Sequence, residues 1–547
     1  MTHTINISPQ SADHPLSTGN SSNSSDDAYP KEVERTLVVA ELRESGDCLS
    51  TSPPSPKPGS SKFRQALAEL VPSFLQPSKK RQHESEEPKK APSSTEWLDG
   101  LRGYAAFFVV WHHISLVWFP WDLHFGHAGR ETDHFLQLPI LRLAISGPPQ
   151  VFVFFVVSGY ALSHKTLKLL RQGGKTEEAY ATLASSAFRR HPRLFIPPIV
   201  LSLCSPLIAY ANGFGGTQEE GVGHMPNGVV KLMGPKPLAT LGQQFGDYVH
   251  TALELIDPLA HRNDWTWIYN PALWTLPHEF MGSLLIYGVL LALSRCKSSV
   301  RLLVTTVMAL WALYFVYWSE FLFLSGMLLA DFRLYTRHRA REQERENDED
   351  SSMLDGEWKP AVIHRSRGWE PLIPAEWDNQ HVHTTVQIIM AIFLLYVLGA
   401  PEWRLGGDKS PGYVWLAQLV PSQYITANRP SHFSGTIAAV ALVFVLDRAP
   451  LLQRLFTTPF ARYLGRISYS LYLVHVPILH GLGFWAGKFF LGITGSETDS
   501  GYVLGVAAAV AVVWVVTIWA ADLGWRYVDA PAVRFAAWTH RKVAAGR

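Results

Sequence analysis

The chain has 547 residues, of which 47% are hydrophobic, 12% aromatic and 17% charged, with a formal net charge of +2. Soluble domains carry roughly 25% charged residues, so an ordinary soluble fold is excluded for most of the length. The near-neutral balance, with basic residues spread through connecting segments and gathered on no single face, argues against nucleic acid as a partner.

The mean hydropathy of +0.04 averages two unlike regions. Residues 1–94 are Ser/Pro-rich and charged, with SPPSPKPGS from Ser52 to Ser60. Such a stretch cannot bury a core, and it is expected to be a disordered cytoplasmic tail. No apolar stretch of signal-peptide type follows Met1, so the first membrane segment should stay uncleaved. The sequons at Asn6, Asn20 and Asn23 fall in this tail and are expected to be unused. Cys48, Cys204 and Cys296 show no metal-ligand spacing and imply no disulfide framework.

A bilayer core about 30 Å thick needs about 20 mostly apolar helical residues. The candidates in chain order are Leu101–Phe119, Pro149–Leu167, Leu194–Tyr210, Pro277–Leu293, Leu302–Tyr317, Phe321–Phe332, Thr385–Leu398, Phe433–Leu446, Ile467–Trp485 and Val503–Leu523. Read as one helix, Arg301 to Arg333 would run roughly 50 Å, too long for one crossing, so a break is placed near Trp318–Glu320. Lys and Arg concentrate in cytoplasmic loops. Rich segments (before Leu101, 165–193, 294–301, 333–383, 447–466 and the C-terminus) alternate with poor ones at nearly every step. This predicts an all-α, polytopic membrane protein of about ten spans with both termini cytoplasmic. Residues 95–535 form its membrane domain and residues 536–547 a cytoplasmic tail. No internal repeat of the kind common in transporters is visible.

Ionisable groups inside spans are expensive in lipid and are functional candidates by default. The first span opens with Trp97-Leu-Asp-Gly-Leu-Arg-Gly and carries His112 and His113. Arg102 and His113 lie within about 20° of one helical face and roughly 16 Å apart, whereas His112 points about 100° away from His113. Asp99 and Arg102, at i and i+3, can pair. The bland alternative is an interfacial anchor plus a histidine hydrogen-bonded inside the bundle.

These residues resemble the opening helix of the membrane-bound acyltransferase-3 family, and a fungal-type member in particular. Further blocks agree in order: Phe154 to Tyr160 (FFVVSGY), Arg189 to Pro197 (RRHPRLFIP), Trp274 to Glu279 (WTLPHE), Gly465 to His475 (GRISYSLYLVH) and Trp525 to Pro531 (WRYVDAP). Thr275 and Asp529 stand where the family more often has Ser and Glu. The resemblance implies an O-acyltransferase that takes an acyl group, acetyl by expectation, from acyl-CoA to a hydroxylated acceptor: a glycan, a lipid or a secondary metabolite. Acyl-CoA is then a co-substrate, with no permanently bound cofactor and no metal.

On that reading His113 is the catalytic candidate, as general base or as acyl acceptor; sequence leaves both open. Glu279, after Pro277 at the outer start of the fourth span, is expected to orient the histidine or the acceptor. Its alternative role is a helix N-terminal charge. Arg189, Arg190 and Arg193, on the cytoplasmic side before the third span, and Arg102, at the inner end of the first, are expected to be ligands for donor phosphates, the alternative for the Arg189–Arg193 cluster being positive-inside flanking. Asp99, Ser158 and His475 are supporting candidates, although packing between helices accounts for Ser158 equally well. The 213–276 loop carries Trp265, Trp267, Tyr269 and Trp274, which suit either an acceptor-side stacking surface or an interfacial belt. The rival function is a transporter or channel using Asp99, Arg102, His113 and His475 as a polar relay. A receptor or scaffold has only the tail in its favour. The membrane is expected to be an endomembrane or the plasma membrane; oligomeric state is not legible.

Overall fold

The computed structural model describes residues 69–76, 95–131, 133–172, 174–215, 234–257, 266–354 and 380–544. The readings made for Cys48, the three sequons, Trp265 and most of the tail fall outside these residues. Among the described residues the structure is helical, with no strand. The principal helices are α1 (Glu96–Trp118), α2 (Pro148–Leu170), α3 (Thr176–Leu201), α4 (Ser205–Tyr210), α5 (Leu241–Ile256), α6 (Thr275–Ala292), α7 (Ser298–Tyr314), α8 (Trp318–Leu354), α9 (Gln380–Leu398), α10 (Pro430–Arg448), α11 (Pro450–Phe456), α12 (Pro459–Ile478), α13 (Phe484–Thr494), α14 (Asp499–Gly524) and α15 (Ala530–Ala544). Five helical stretches among the described residues are long and apolar enough to cross a membrane: Thr176–Tyr210, Pro271–Ala292, Pro430–Arg448, Pro459–Thr494 and Asp499–Ala544.

Local chemistry sets the ends. Thr458 Oγ1 accepts from the Ala461 N–H at the start of α12, and Pro459 occupies the first turn, where its missing N–H costs nothing. Thr498 caps α14 in the same way through Gly501. α7 and α8 are separate, as expected, but they part earlier, at Phe315–Tyr317. There Val316 takes φ of 63°, which is uncommon for a β-branched residue, and the Tyr317 N–H returns to the Ala312 carbonyl.

Several elements run further than the apolar pattern indicates. α8 continues to Leu354, beyond the Phe332 expected from hydropathy, because a polar helix needs no apolar face once it leaves the bundle. α3 starts at Thr176 and holds the arginine block inside the helix, not before it. The last helix passes through a π-helical turn, Trp525–Asp529, into α15. Residue 535, read as the end of the membrane domain, therefore lies mid-helix, and Ala536 is buried against the bundle. A second π-helical turn, Leu479–Gly483, joins α12 to α13.

Two apolar cores flank α1. One gathers α2, α6, α7, α8, α9 and α10; the other gathers α1, α12, α13 and α14. Buried ion pairs fasten the first core: Asp331 of α8 takes Arg301 (2.7 Å) and Arg171 (2.5 Å), and Asp447 of α10 takes Arg333. A buried carboxylate needs such partners to offset its lost hydration.

The packing that positions the site is the α1–α12 crossing. A Cβ on Gly103 would lie 2.4 Å from the Gly465 backbone nitrogen, and one on Gly465 would lie 2.5 Å from the Asp99 carbonyl oxygen. Only glycine lets the two backbones approach so closely. Gly103→Ala is expected to destabilise the fold by the upper end of the roughly 1–3 kcal/mol seen for overpacking, since the obstacle is backbone. Gly288→Ala, with nothing within 4 Å of the added carbon, should behave as wild type. Thermal unfolding of the detergent-solubilised full chain, followed by size exclusion, measures both; equal melting of the two variants would contradict the crossing.

Candidate active site

From Gly103 to His113 is ten residues, and so is the interval from Gly465 to His475. α1 and α12 touch at the glycines and touch again at the histidines, where His475 Nε2 lies 3.3 Å from His113 Nδ1. The two helices therefore run parallel and in register over about 15 Å.

The hydrogen bonds fix both imidazole tautomers. His113 Nδ1 lies 2.9 Å from the Val109 carbonyl, which can only accept, so Nδ1 carries the proton. His475 Nδ1 likewise donates to the Tyr472 carbonyl at 2.7 Å, which leaves its Nε2 as the lone pair facing His113. His113 Nε2, with its own lone pair, has no partner among the described residues. This is the arrangement a general base or nucleophile requires. His112 turns aside and bonds the Ile145 carbonyl at 2.7 Å, as the helical spacing indicates.

The face of α12 that holds His475 also ties in two other sequence blocks. Tyr472 Oη lies 2.6 Å from Thr275 Oγ1, at the start of α6, and Tyr469 Oη donates to the Leu194 carbonyl of α3 at 2.5 Å. Asn270 Nδ2 donates to the Leu473 carbonyl at 2.7 Å. Thus the WTLPHE and RRHPRLFIP blocks reach the histidines through the SYSLYLVH block.

Arg190 and Glu279 meet at 2.5 Å, both largely buried, and Arg190 Nε also donates to Ser283 Oγ at 2.7 Å. This differs from the expectation that Arg190 stands outside the bundle. It is held within the bundle because a carboxylate on α6 lies at the same depth. Glu279 accordingly bonds Arg190, and the imidazole that orients His113 is His475. Glu279 Oε2 is buried and has no hydrogen-bond partner among the described residues, which leaves an unused acceptor beside the pair.

The other end of α1 carries the Asp99–Arg102 pair, 3.1 Å apart. Arg193 of α3 is exposed and feels the charges of Asp529, Arg190 and Arg102. Asp529, in the π-helical turn, is likewise influenced by Arg193 and Arg102. These groups form a mixed charged mouth, with Arg102 roughly 16 Å from His113 along α1.

Some sequence candidates lie elsewhere. Ser158 sits beside Gly159 in the α2–α8 crossing, where a Cβ on Gly159 would meet the Phe323 carbonyl at 2.1 Å. Arg189 Nε donates to the Ser185 carbonyl on its own helix. Trp267 and Tyr269 are core residues, not a stacking surface: Trp267 Nε1 donates to Thr251 Oγ1 (3.0 Å) and Tyr269 Oη to Asp247 Oδ2 (2.8 Å), both on α5. Trp274 is half-buried against His278 and Trp318. Among the described residues no group of three His, Cys, Asp or Glu side chains is arranged to hold a metal ion. Reading the sequence ranked His475 only as a supporting residue; the shared Gly-x9-His interval in two separate blocks is the signal that pairs it with His113.

Residues 95–520 match the acyltransferase domain family. The chain belongs to that family. It is 35% identical over 488 residues to O-acetyltransferase PaAT-1 of Phomopsis amygdali, covering 87% of this chain and 89% of that one. An acyltransferase of Phoma sp. is 22% identical over 81% of this chain and 95% of its own. Acyltransferase clz18 of Cochliobolus lunatus is 23% identical over 81% and 96%. No solved structure matches the chain. The protein is an O-acyltransferase, and with its long apolar helices it is a membrane protein. The transporter reading is not favoured.

Breaking the buried pair in this acyltransferase should be costly. Glu279→Ala is expected to lose about 3–5 kcal/mol, because it strands the Arg190 guanidinium. The double variant Arg190→Met/Glu279→Ala should recover most of the stability and none of the activity. Thermal melting and transfer assays on the three proteins check this; a double variant no more stable than Glu279→Ala would contradict the pairing.

Proposed function

We propose that this enzyme crosses the membrane ten times, by α1, α2, α3, α6, α7, α8, α9, α10, α12 and α14, with both termini cytoplasmic. We propose that it moves an acyl group, acetyl by expectation, from acyl-CoA to a hydroxyl of a glycan, a lipid or a secondary metabolite. The topology is supported by loop charge and by the parallel run of α1 and α12, the first and ninth spans, which must both lead outward from the cytoplasm. The acetyl group and oxygen acceptor are supported by the likeness to the Phomopsis protein, which is named an O-acetyltransferase. The single observation that carries the mechanism is the tethered Nδ1 and available Nε2 of His113.

On this reading the donor phosphates rest at the charged mouth, chiefly on Arg102 and Arg193, since Arg190 is engaged by Glu279. The pantetheine arm runs along α1 to the histidines, a distance of roughly 16 Å. The acceptor hydroxyl gives its proton to His113 Nε2 while its oxygen attacks the thioester carbon. The imidazolium that forms is stabilised at Nδ1–H by the Val109 carbonyl and by His475 Nε2. Collapse of the tetrahedral species breaks the C–S bond, and the departing thiolate takes the proton from His113. The products are the ester and CoA thiol, and no net proton is released. Glu279 Oε2 serves to hold the acceptor.

Two measurements test this. His113→Ala is expected to lower thiol release from acetyl-CoA at least about a hundred-fold, with insertion and donor binding kept, while His112→Ala does much less. Activity retained in His113→Ala would sink the mechanism. For topology, tags at residue 30, at residue 350 and at the C-terminus should report cytoplasm, and a tag at residue 240 the opposite side. Residue 350 on the outside would break the ten-span arrangement.

A further inference from the structure

Residues 69–76 lie in the segment expected to be tail, yet they are fastened to the end of α14. The Ser73 N–H donates to Asp522 Oδ1 at 3.1 Å, and Ser73 Oγ donates to Asp522 Oδ2 at 2.5 Å. Trp519 Nε1 donates to the Leu70 carbonyl at 2.9 Å. Arg526 donates to the carbonyls of Glu69 (2.8 Å) and Val71 (3.0 Å). The Phe74 ring packs edge-on against Tyr463, whose hydroxyl donates to Asp522 at 3.2 Å. Trp519, Asp522 and Arg526 thus supply polar anchors for the strap, and Tyr463 supplies a ring against Phe74.

Two features make this attachment switchable. Asp522 is fully buried; it accepts from the Ser73 N–H, the Ser73 hydroxyl and the Tyr463 hydroxyl, and its carboxylate lies 2.7 Å from Arg526 Nε in an ion pair. In the docked strap the Ser73 hydroxyl donates its proton to this carboxylate. A phosphate ester at that oxygen has no such proton, adds nearly two negative charges, and would face a buried carboxylate. The strap also bears on the site. Arg526 and Asp529 belong to one π-helical turn, and Asp529 shares the charged mouth with Arg193 and Arg102. Freeing Arg526 from two strap carbonyls loosens the turn that sets Asp529.

We propose that residues 69–76 form a cytoplasmic strap and that Ser73 is a phosphorylation site whose modification releases the strap and weakens donor binding. The inference rests on the topology and donor site given above. The step transfers the γ-phosphoryl group of a nucleoside triphosphate through a protein kinase. The P–O bond to the diphosphate breaks, one to Ser73 Oγ forms, and the hydroxyl proton leaves to the kinase base. The kinase acts on the strap while it is transiently undocked.

The test uses the full chain in nanodiscs with acetyl-CoA as the probe. Ser73→Glu should raise amide hydrogen exchange over residues 69–76 at least about ten-fold, since exchange there reports local opening. It should also raise the donor KM about five-fold, within the usual range of coupled sites, with kcat little changed. Ser73→Ala, which keeps the backbone bond to Asp522, should stay docked. Adding Asp522→Asn to Ser73→Glu should restore part of the protection, because the repulsion is gone. Mass spectrometry of the protein from its native cells should find phosphate on Ser73. Wild-type exchange in Ser73→Glu, no restoration by Asp522→Asn, an unchanged KM alongside a released strap, or no Ser73 phosphopeptide would each overturn the proposal. The exchange readout needs no donor, so it separates failure of the strap from failure of the donor assignment.

Discussion

The site depends on how closely α1 and α12 approach. Two glycines bring the backbones into contact, and everything ten residues further along follows from that contact. With bulkier residues at the crossing the helices would separate or rotate, and the 3.3 Å approach of His475 to His113 would be lost. The pairing also settles tautomers without a carboxylate. Each imidazole spends its Nδ1 proton on a carbonyl of its own helix, and the lone pairs are left pointing outward from that anchor. A neutral histidine in the orienting role suits a low-dielectric interior, where an additional buried carboxylate would need its own cation.

Glu279, close to Tyr469 and Tyr472 of α12, does have such a cation. Glu279 and Arg190 neutralise each other, and the tyrosines of α12 close the space between them and the histidines. The sequence blocks that appear separate in the chain are thus one hydrogen-bonded unit drawn from α1, α3, α6 and α12. The charged mouth at the far end of α1 is built differently, from exposed or half-exposed groups.

Much of this was legible. The apolar runs located the helices, the i, i+3 spacing gave the Asp99–Arg102 pair, and the helical angle separated His112 from His113. The separation of α7 from α8 followed from the length a bilayer allows. What remained hidden was hidden for physical reasons. Hydropathy is blind to a helix that continues into water, so α8 came out short. A basic block reads as a flanking signal until the carboxylate at its depth is known, so Arg190 was placed outside the bundle. Trp267 and Tyr269 resemble a stacking surface in sequence, and only α5, with Thr251 and Asp247 in reach, turns them into core. The strap at 69–76 carries only a short apolar stretch (Leu70, Val71, Phe74 and Leu75) within a Ser/Pro-rich, charged segment, too short to read as a span; its attachment comes from residues some 450 positions away.

The π-helical turn at Leu479–Gly483 has a geometric consequence of its own. One extra residue in a helical turn advances the side-chain phase by about 100°. α12 and α13 form one continuous rod, but they do not present one continuous stripe. Above the turn the rod shows Gly465 and His475 to α1; below it, a different meridian shows Ala486, Gly487 and Leu491 to the bundle around α14. A straight α-helix would have to choose between these neighbours. The phase slip lets a single rod face the paired histidine of α1 along one part of its length and serve as a packing post along the other, so that the two demands fall on different residues.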